Sequence, residues 1–169
     1  MNLYQSLGFL VLGSRLRRLS ESFLAEINRA YQKLGIDFDA SWFPVFYLLS
    51  KNDALSIKEL SEQTEVSHPA ASQLIANLKN KSLVTSVTCA DDGRRQLVTL
   101  TDKGRDLLNE ILPVWDAVLS AMNELVALDE ESAKLLPAIA ALENIFRGNS
   151  LSEKIAGNIA VELKSEPNE

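Results

Sequence analysis

The chain is poor in the residues that most chemistry requires. Its 169 residues include one histidine and one cysteine. The single cysteine, Cys89, has no internal partner for a disulfide and fits a reducing compartment, with the cytoplasm as the default. One histidine, His68, without a ligand-spaced cluster around it gives no metal site, and no cofactor motif is present. Catalysis by Ser-His-Asp or Cys-His needs a histidine held by a partner, and no phosphate-binding glycine loop occurs, so an enzyme is not expected. No apolar run approaches the ~20 residues that span a bilayer, so no membrane segment is expected. The apolar start, residues 1–13, lacks a basic lead and a cleavage pattern and runs into Arg15, Arg17 and Arg18, as a helix does and a signal peptide does not.

Net charge is −6, an awkward value for a partner of nucleic acid, but its distribution is uneven. Residues 1–55 carry six basic and five acidic side chains, residues 56–104 six of each, and residues 105–169 five against twelve. The acidic excess thus lies in the C-terminal third. Since phosphate binding depends on locally focused cations, this balance permits a DNA-binding unit upstream without arguing for one. A hydrophobic share of 46% against 24% charged residues rules out wholesale disorder.

Apolar spacing of three and four predicts a long helix over 5–34, stopped by Gly35. Ser41 followed by Pro44 predicts the cap and first turn of a second, strongly apolar helix. Ser56-Ile-Lys-Glu59 has the form of a capping box opening a short third helix. After a turn over 64–67, Ser67 and Pro69 open a fourth, with Ala71, Leu74, Ile75 and Leu78 as its inward stripe. Its other face offers Pro69, Ala70, Ser72, Gln73, Ala76, Asn77 and Asn80, all small or amide-bearing. Two β-prone runs, 83–88 and 96–100, flank the turn Ala90-Asp-Asp-Gly-Arg-Arg95. Thr101-Asp102 caps a helix to about Leu128, kinked at Pro113. A further helix runs from Asp129 to about Phe146, kinked at Pro137, and residues 150–163 form one more. The order helix, turn, helix, strand, charged hairpin, strand is that of a helix-turn-helix with a β-wing.

Residues 56–104 resemble the DNA-binding domain of MarR-type winged helix-turn-helix transcriptional regulators. The resemblance rests on Leu55-Ser-Ile-Lys-Glu-Leu-Ser61, Val66-Ser-His-Pro69, Asp92-Gly-Arg94 and Val98-Thr-Leu-Thr-Asp-Lys-Gly104. It implies a mainly α fold with a small β-hairpin wing, spanning 1–169 as a single domain. Residues 41–104 would be the winged helix-turn-helix, and 5–34 with 105–163 the helical dimerisation body. It further implies a homodimer on double-stranded DNA with a pseudo-palindromic operator, usually a repressor, often released by a small effector. Two departures stand out: Ser82 where the family commonly has glycine, and Gln73 where it often has a basic residue. Glutamine suits adenine, so the departure alters the expected base preference. The last residues, about 150–169, run past the usual pattern.

Candidate DNA-binding residues are Ser67, His68, Pro69, Ala70, Ser72, Gln73 and Asn77 on the fourth helix, with Asp92, Arg94 and Arg95 on the wing. Gln73, Asn77 and Ser72 would read base edges, free N–H groups at the helix start would hold a phosphate, and Arg94 would enter a minor groove. Against this stand the plainer readings of a polar helix face and a solvated turn. Lys58, Lys79 and Lys81 are candidate phosphate contacts or merely solvent-facing. His68 contacts DNA, responds to pH, or has no special role. Cys89 reads as a small apolar strand residue rather than a redox sensor. Trp42, Phe43, Phe46, Tyr47 and Trp115, with Arg15 and Arg18, are either core packing or a pocket for an amphipathic or anionic effector. The remaining alternative is a winged-helix dimer that binds a protein without sequence-specific DNA binding.

Overall fold

The computed structural model describes residues 3–88 and 96–165, and the chain divides into two compact units, Met1–Val118 and Leu119–Glu169. In the first unit the expected long N-terminal helix is interrupted. One helical turn, Leu3–Ser6, and a 3-10 turn, Gly8–Val11, precede helix α1, Leu12–Leu34. The break falls at Gly8, whose φ of 53° is left-handed and incompatible with a continuing helix. The stop at Gly35 is as expected: φ is 73°, and its N–H and that of Ile36 reach back to Gln32 O and Tyr31 O.

Ser41 does not cap the second helix. The Asp39 carboxylate instead accepts from the Ser41 N–H at 2.8 Å and its hydroxyl at 2.6 Å, opening a 3-10 turn, Ala40–Trp42. The Ser41 hydroxyl is thus held as a donor to the carboxylate, a charge-assisted bond, and does not reach forward to cap the helix. Helix α2, Phe43–Lys51, follows with Pro44 in its first turn. Strand β1, Leu55–Ser56, was not foreseen, being too short to carry a pattern. The capping box then forms as expected. Ser56 Oγ accepts from Glu59 N at 3.2 Å and Glu59 Oε2 accepts from Ser56 N at 2.8 Å, opening α3, Ile57–Gln63. Helix α4 spans His68–Asn80 with Ser67 as its cap.

Strands β2, Val84–Thr88, and β3, Gln96–Leu100, pair antiparallel from Val84↔Leu100 to Thr88↔Gln96, and β1 adds to the free edge of β3. The core lies between this sheet and the helices. Tyr31, Phe46, Leu60, Ile75, Leu78, Val98 and Ile111 are fully buried there, each contributing about 1.5–3 kcal/mol. Phe38 is its aromatic hub, with ring centroids 5.0, 5.5 and 5.1 Å from Tyr31, Trp42 and Phe46.

Helix α5, Asp102–Val126, continues through Pro113. Its first turn is locked to the start of the wing. Thr101 N donates to Leu83 O at 3.1 Å, and Thr101 Oγ1 donates to Ser82 O at 2.7 Å. Ser82, standing where the resemblance led us to expect glycine, takes the left-handed conformation that glycine would favour, with φ of 58°. Its accommodation is this anchorage, together with its N–H bonded to Lys79 O at 2.8 Å. Gly104 faces the Leu83 carbonyl so closely that a Cβ there would overlap it.

In the second unit Asp129 does not begin a continuous helix. Its carboxylate caps Ser132 N at 2.8 Å, opening a 3-10 turn, Ser132–Lys134, before α6, Leu135–Gly148. These bonds lower the Asp129 pKa. Pro137 therefore sits in the first turn of α6 instead of kinking its middle, where its missing N–H has no helical partner to lose. Helix α7, Leu151–Ser165, follows. Among the described side chains of this unit none is buried, although Leu128, Leu136, Ile145, Phe146 and Leu151 are all large and apolar.

Candidate nucleic-acid interface

Helix α4 is fixed from beneath by Ala71, Ile75 and Leu78, all buried. That burial turns Pro69, Ala70, Gln73, Ala76, Asn77 and Asn80 to solvent, with Ser72 half-buried. Gln73 Nε2 donates to Asn77 Oδ1 at 3.2 Å, one helical turn apart, so the two amides form a joined polar ridge. The only charged side chain of the helix is Lys79, in its last turn. A face of this kind approaches another surface without the cost of stripping water from charges.

The helix start offers less than the sequence suggested. Of its first N–H groups, Ala70's is taken by Ser67 Oγ at 3.4 Å, Ala71's by Ser67 O at 3.0 Å, and Pro69 has none. Among the described residues neither the His68 N–H nor that of the cap Ser67 meets an acceptor. The His68 ring is exposed, with Nδ1 3.5 Å from Ser72 Oγ. The candidates Asp92, Arg94 and Arg95, and also Cys89, lie outside the described residues.

The candidate lysines differ in commitment. Lys58 pairs with Glu62 at 3.8 Å. Lys81 pairs with Asp37 at 3.3 Å and sits 5.1 Å from the Trp42 ring centre. Exposed pairs of this sort are worth about 0–1 kcal/mol, so neither cation is held firmly. Lys103 Nζ donates to Lys81 O at 3.0 Å, bracing the end of α4 against α5.

The aromatic set does not form one group. Trp42 and Phe46 are buried around Phe38 and belong to the core. Phe43, Tyr47 and Trp115 form a separate, more open trio, with Trp115 4.9 Å from Phe43 and 6.1 Å from Tyr47. The far edge of Trp115 is tied inward, its Nε1 donating to Tyr31 Oη at 3.1 Å. Burial raises the Tyr31 pKa, and this bond offsets part of the rise. Arg15 and Arg18 are exposed on α1, and Arg18 lies over the Tyr4 ring at 5.0 Å, away from that trio in its contacts. Thr101 caps α5 as expected, its Oγ1 accepting from Gly104 N at 3.0 Å, but sequence reasoning missed its bonds to Ser82 and Leu83 and the close approach at Gly104. The strand-ending threonine followed three residues later by glycine was the available signal.

Among the described residues no helix is long and apolar enough to cross a membrane, and no three His, Cys, Asp or Glu side chains gather as a metal site. Residues 36–95 match the sequence model of the MarR family. The fold is shared with MarR-family transcription regulators. AbsC from Streptomyces coelicolor, a MarR family transcriptional regulator, aligns with a TM-score of 0.65 at 20% identity over 83% of this chain and 95% of its own. MepR from S. aureus, solved as a DNA complex, aligns at 0.64 and 19% identity over 81% of this chain and 96% of its own. BpsR from Bordetella bronchiseptica, described as regulated in DNA binding by 6-hydroxynicotinic acid, aligns at 0.61 and 23% identity over 82% and 94%.

Proposed function

We propose that this chain, which carries the MarR family pattern over residues 36–95 on the fold of those regulators, is a homodimeric, cytoplasmic DNA-binding transcription regulator that is not an enzyme. The observation that carries the reading is the outward face of α4: nearly uncharged, amide-bearing, and rigidly presented by the buried stripe behind it. Gln73 and Asn77 have the donor–acceptor pairs that match adenine in the major groove. Ser67, His68, Pro69, Ala70 and Ser72 form the end that meets the backbone, and Asp92, Arg94 and Arg95 the wing that follows a neighbouring groove.

Dimerisation is supported by apolar residues left exposed at both ends of the chain, among them Phe9 and Leu10 at 84% and 87% exposure and Leu128 at 81%. Faces of this kind in so small a chain call for a partner. A two-fold pair would set its α4 helices about one DNA turn, ~34 Å, apart on a pseudo-palindromic operator, where the dimer acts as a repressor. The open trio of Phe43, Tyr47 and Trp115 suits an aromatic or amphipathic effector.

Selection of bound duplexes from a random pool is the test. The expected result is an enriched motif of two inverted half-sites. Gln73→Ala should cost about 1–3 kcal/mol on that motif and relax one base position in each half. Binding to duplex that is steep in salt supports phosphate contact, whereas a salt-insensitive protein that enriches nothing is a protein-binding module and the proposal fails.

A further inference from the structure

The buried aromatic cluster around Phe38 and the open trio of Phe43, Tyr47 and Trp115 are joined by a hydrogen bond, Trp115 Nε1 donating to Tyr31 Oη at 3.1 Å. From there ring follows ring. Tyr31 lies 5.0 Å from Phe38, and Phe38 5.5 Å from Trp42, between ring centroids. The ammonium of Lys81, the residue just past the end of α4, sits 5.1 Å from the Trp42 ring centre. Phe38 and Trp42 also share their buried cluster with Ile75 and Leu78, on the inward side of α4. The path thus runs from a half-buried indole on α5 to the helix proposed to read DNA. From it we infer that Trp115 and Tyr31 are positioning residues: their hydrogen bond fixes how α4 is presented, so DNA affinity depends on a bond that no proposed DNA-contacting residue makes. The inference rests on the DNA reading above and deepens it.

The two ends of the bond are held differently. Tyr31 is 1% exposed, and among the described residues Trp115 is the partner of its hydroxyl. No water reaches that oxygen to replace a lost donor, so the bond is costly to break. Trp115 is half-buried, its ring 4.9 Å from Phe43 and 6.1 Å from Tyr47, both exposed. The indole is therefore anchored on its inner edge and accessible on its outer side. The tilted and edge-on rings beyond it are closely packed, so a shift of one displaces the next. Contiguous packing of this kind carries coupling between distant groups, commonly about 5- to 150-fold in affinity. Without the bond, α4 spends less time in its DNA-ready placement, and apparent affinity falls by that fraction. No phosphate contact is lost, so the salt dependence stays as it was. An occupant of the trio that drew the indole outward would act on DNA binding by the same route.

The experiment measures Kd for a duplex bearing the selected motif across a salt series, for the full chain, Tyr31→Phe, Trp115→Phe and the double variant. Each single variant removes one partner of the bond and leaves a ring in place. Each should bind about fivefold weaker or more with the wild-type salt slope, and the double variant should be no weaker than the weaker single. Ile111→Val, in the same core but off this path, should keep wild-type affinity. Circular dichroism establishes that each chain is folded at the assay temperature. Should a variant not fold, Trp115 emission decides the matter. The chain has two tryptophans, so Trp42→Phe keeps a ring at that position and leaves Trp115 as the sole indole. Its emission must change when the duplex is added, since coupling is reciprocal. Wild-type affinity in both folded single variants, losses that add in the double variant, an equal loss in Ile111→Val, or Trp115 emission unmoved by DNA overturns the inference while leaving the DNA reading intact. A wild-type chain that binds no duplex overturns both.

Discussion

Replacing Gly104 with alanine would push a methyl group into the Leu83 carbonyl oxygen, well inside the ~3.3–3.6 Å at which a carbon and a carbonyl oxygen rest. The same Cβ would stand 3.1 Å from Leu83 C and 3.2 Å from Leu100 Cδ2. The obstacle is backbone, so no rotamer change relieves it, and the first turn of α5 must back away from β2. That movement stretches the bonds from Thr101 N and Oγ1 to Leu83 O, now 3.1 and 3.2 Å, and from Thr101 Oγ1 to Ser82 O. Overpacking costs about 1–3 kcal/mol and each weakened bond about 0.5–1.5 kcal/mol, against roughly 1 kcal/mol gained in helix propensity. The expected net loss is about 2–4 kcal/mol, lowering Tm by roughly 5–15 °C for a chain of this size. Urea unfolding followed by circular dichroism, at one protomer concentration, measures it. Gly157→Ala is the control: it lies inside α7 with nothing within 4 Å, and should gain about 0.5–1 kcal/mol. If Gly104→Ala matched the control in sign and size, the close approach of α5 to the wing would not exist.

Ser82 pays for its left-handed backbone, so Ser82→Asn, which tolerates that region better, should stabilise by about 0.5 kcal/mol in the same assay. Phe46→Ala should lose about 3–5 kcal/mol, whereas Phe43→Ala, at an exposed ring, should lose well under half of that. Tyr31 links stability to alkaline pH. Its folded-state pKa is raised, so its contribution is complete below the free phenol value of about 10 and falls away as pH rises through the folded value. Urea midpoints between pH 8 and 11 should drop less steeply in Tyr31→Phe than in the wild type.

The sequence was most readable where local chemistry decides the backbone. Ser56 and Glu59, Ser67 with Pro69, and Gly35 act within a turn of themselves, and each behaves as its type predicts. Alternation and a charged turn likewise placed β2 and β3. What escaped was decided by competition or distance. Asp39 displaced Ser41 because its carboxylate draws both the Ser41 N–H and the Ser41 hydroxyl back to itself, and Pro137 changed meaning once the helix began later than expected. β1 exists only because β3 offers it a partner some forty residues away, at Leu55↔Val98. In the candidate site the outward face of α4 followed from its buried stripe. The division of the aromatics between the Phe38 cluster and the Trp115 trio did not, because periodicity gives the face of a residue and not its neighbour.

Ser56 closes strand β1 and opens helix α3 with no residue between the two roles. A junction without a linker has little torsion to spare, so β1 and α3 must travel together as a single block. In the dimeric regulator proposed above, a change in the distance between two such blocks would have to be absorbed elsewhere, in the segment joining α1 to α2 or along α5. Loosening that junction, for instance by inserting one glycine after Ser56, would let the block flex internally, so that α3 no longer moves with the sheet.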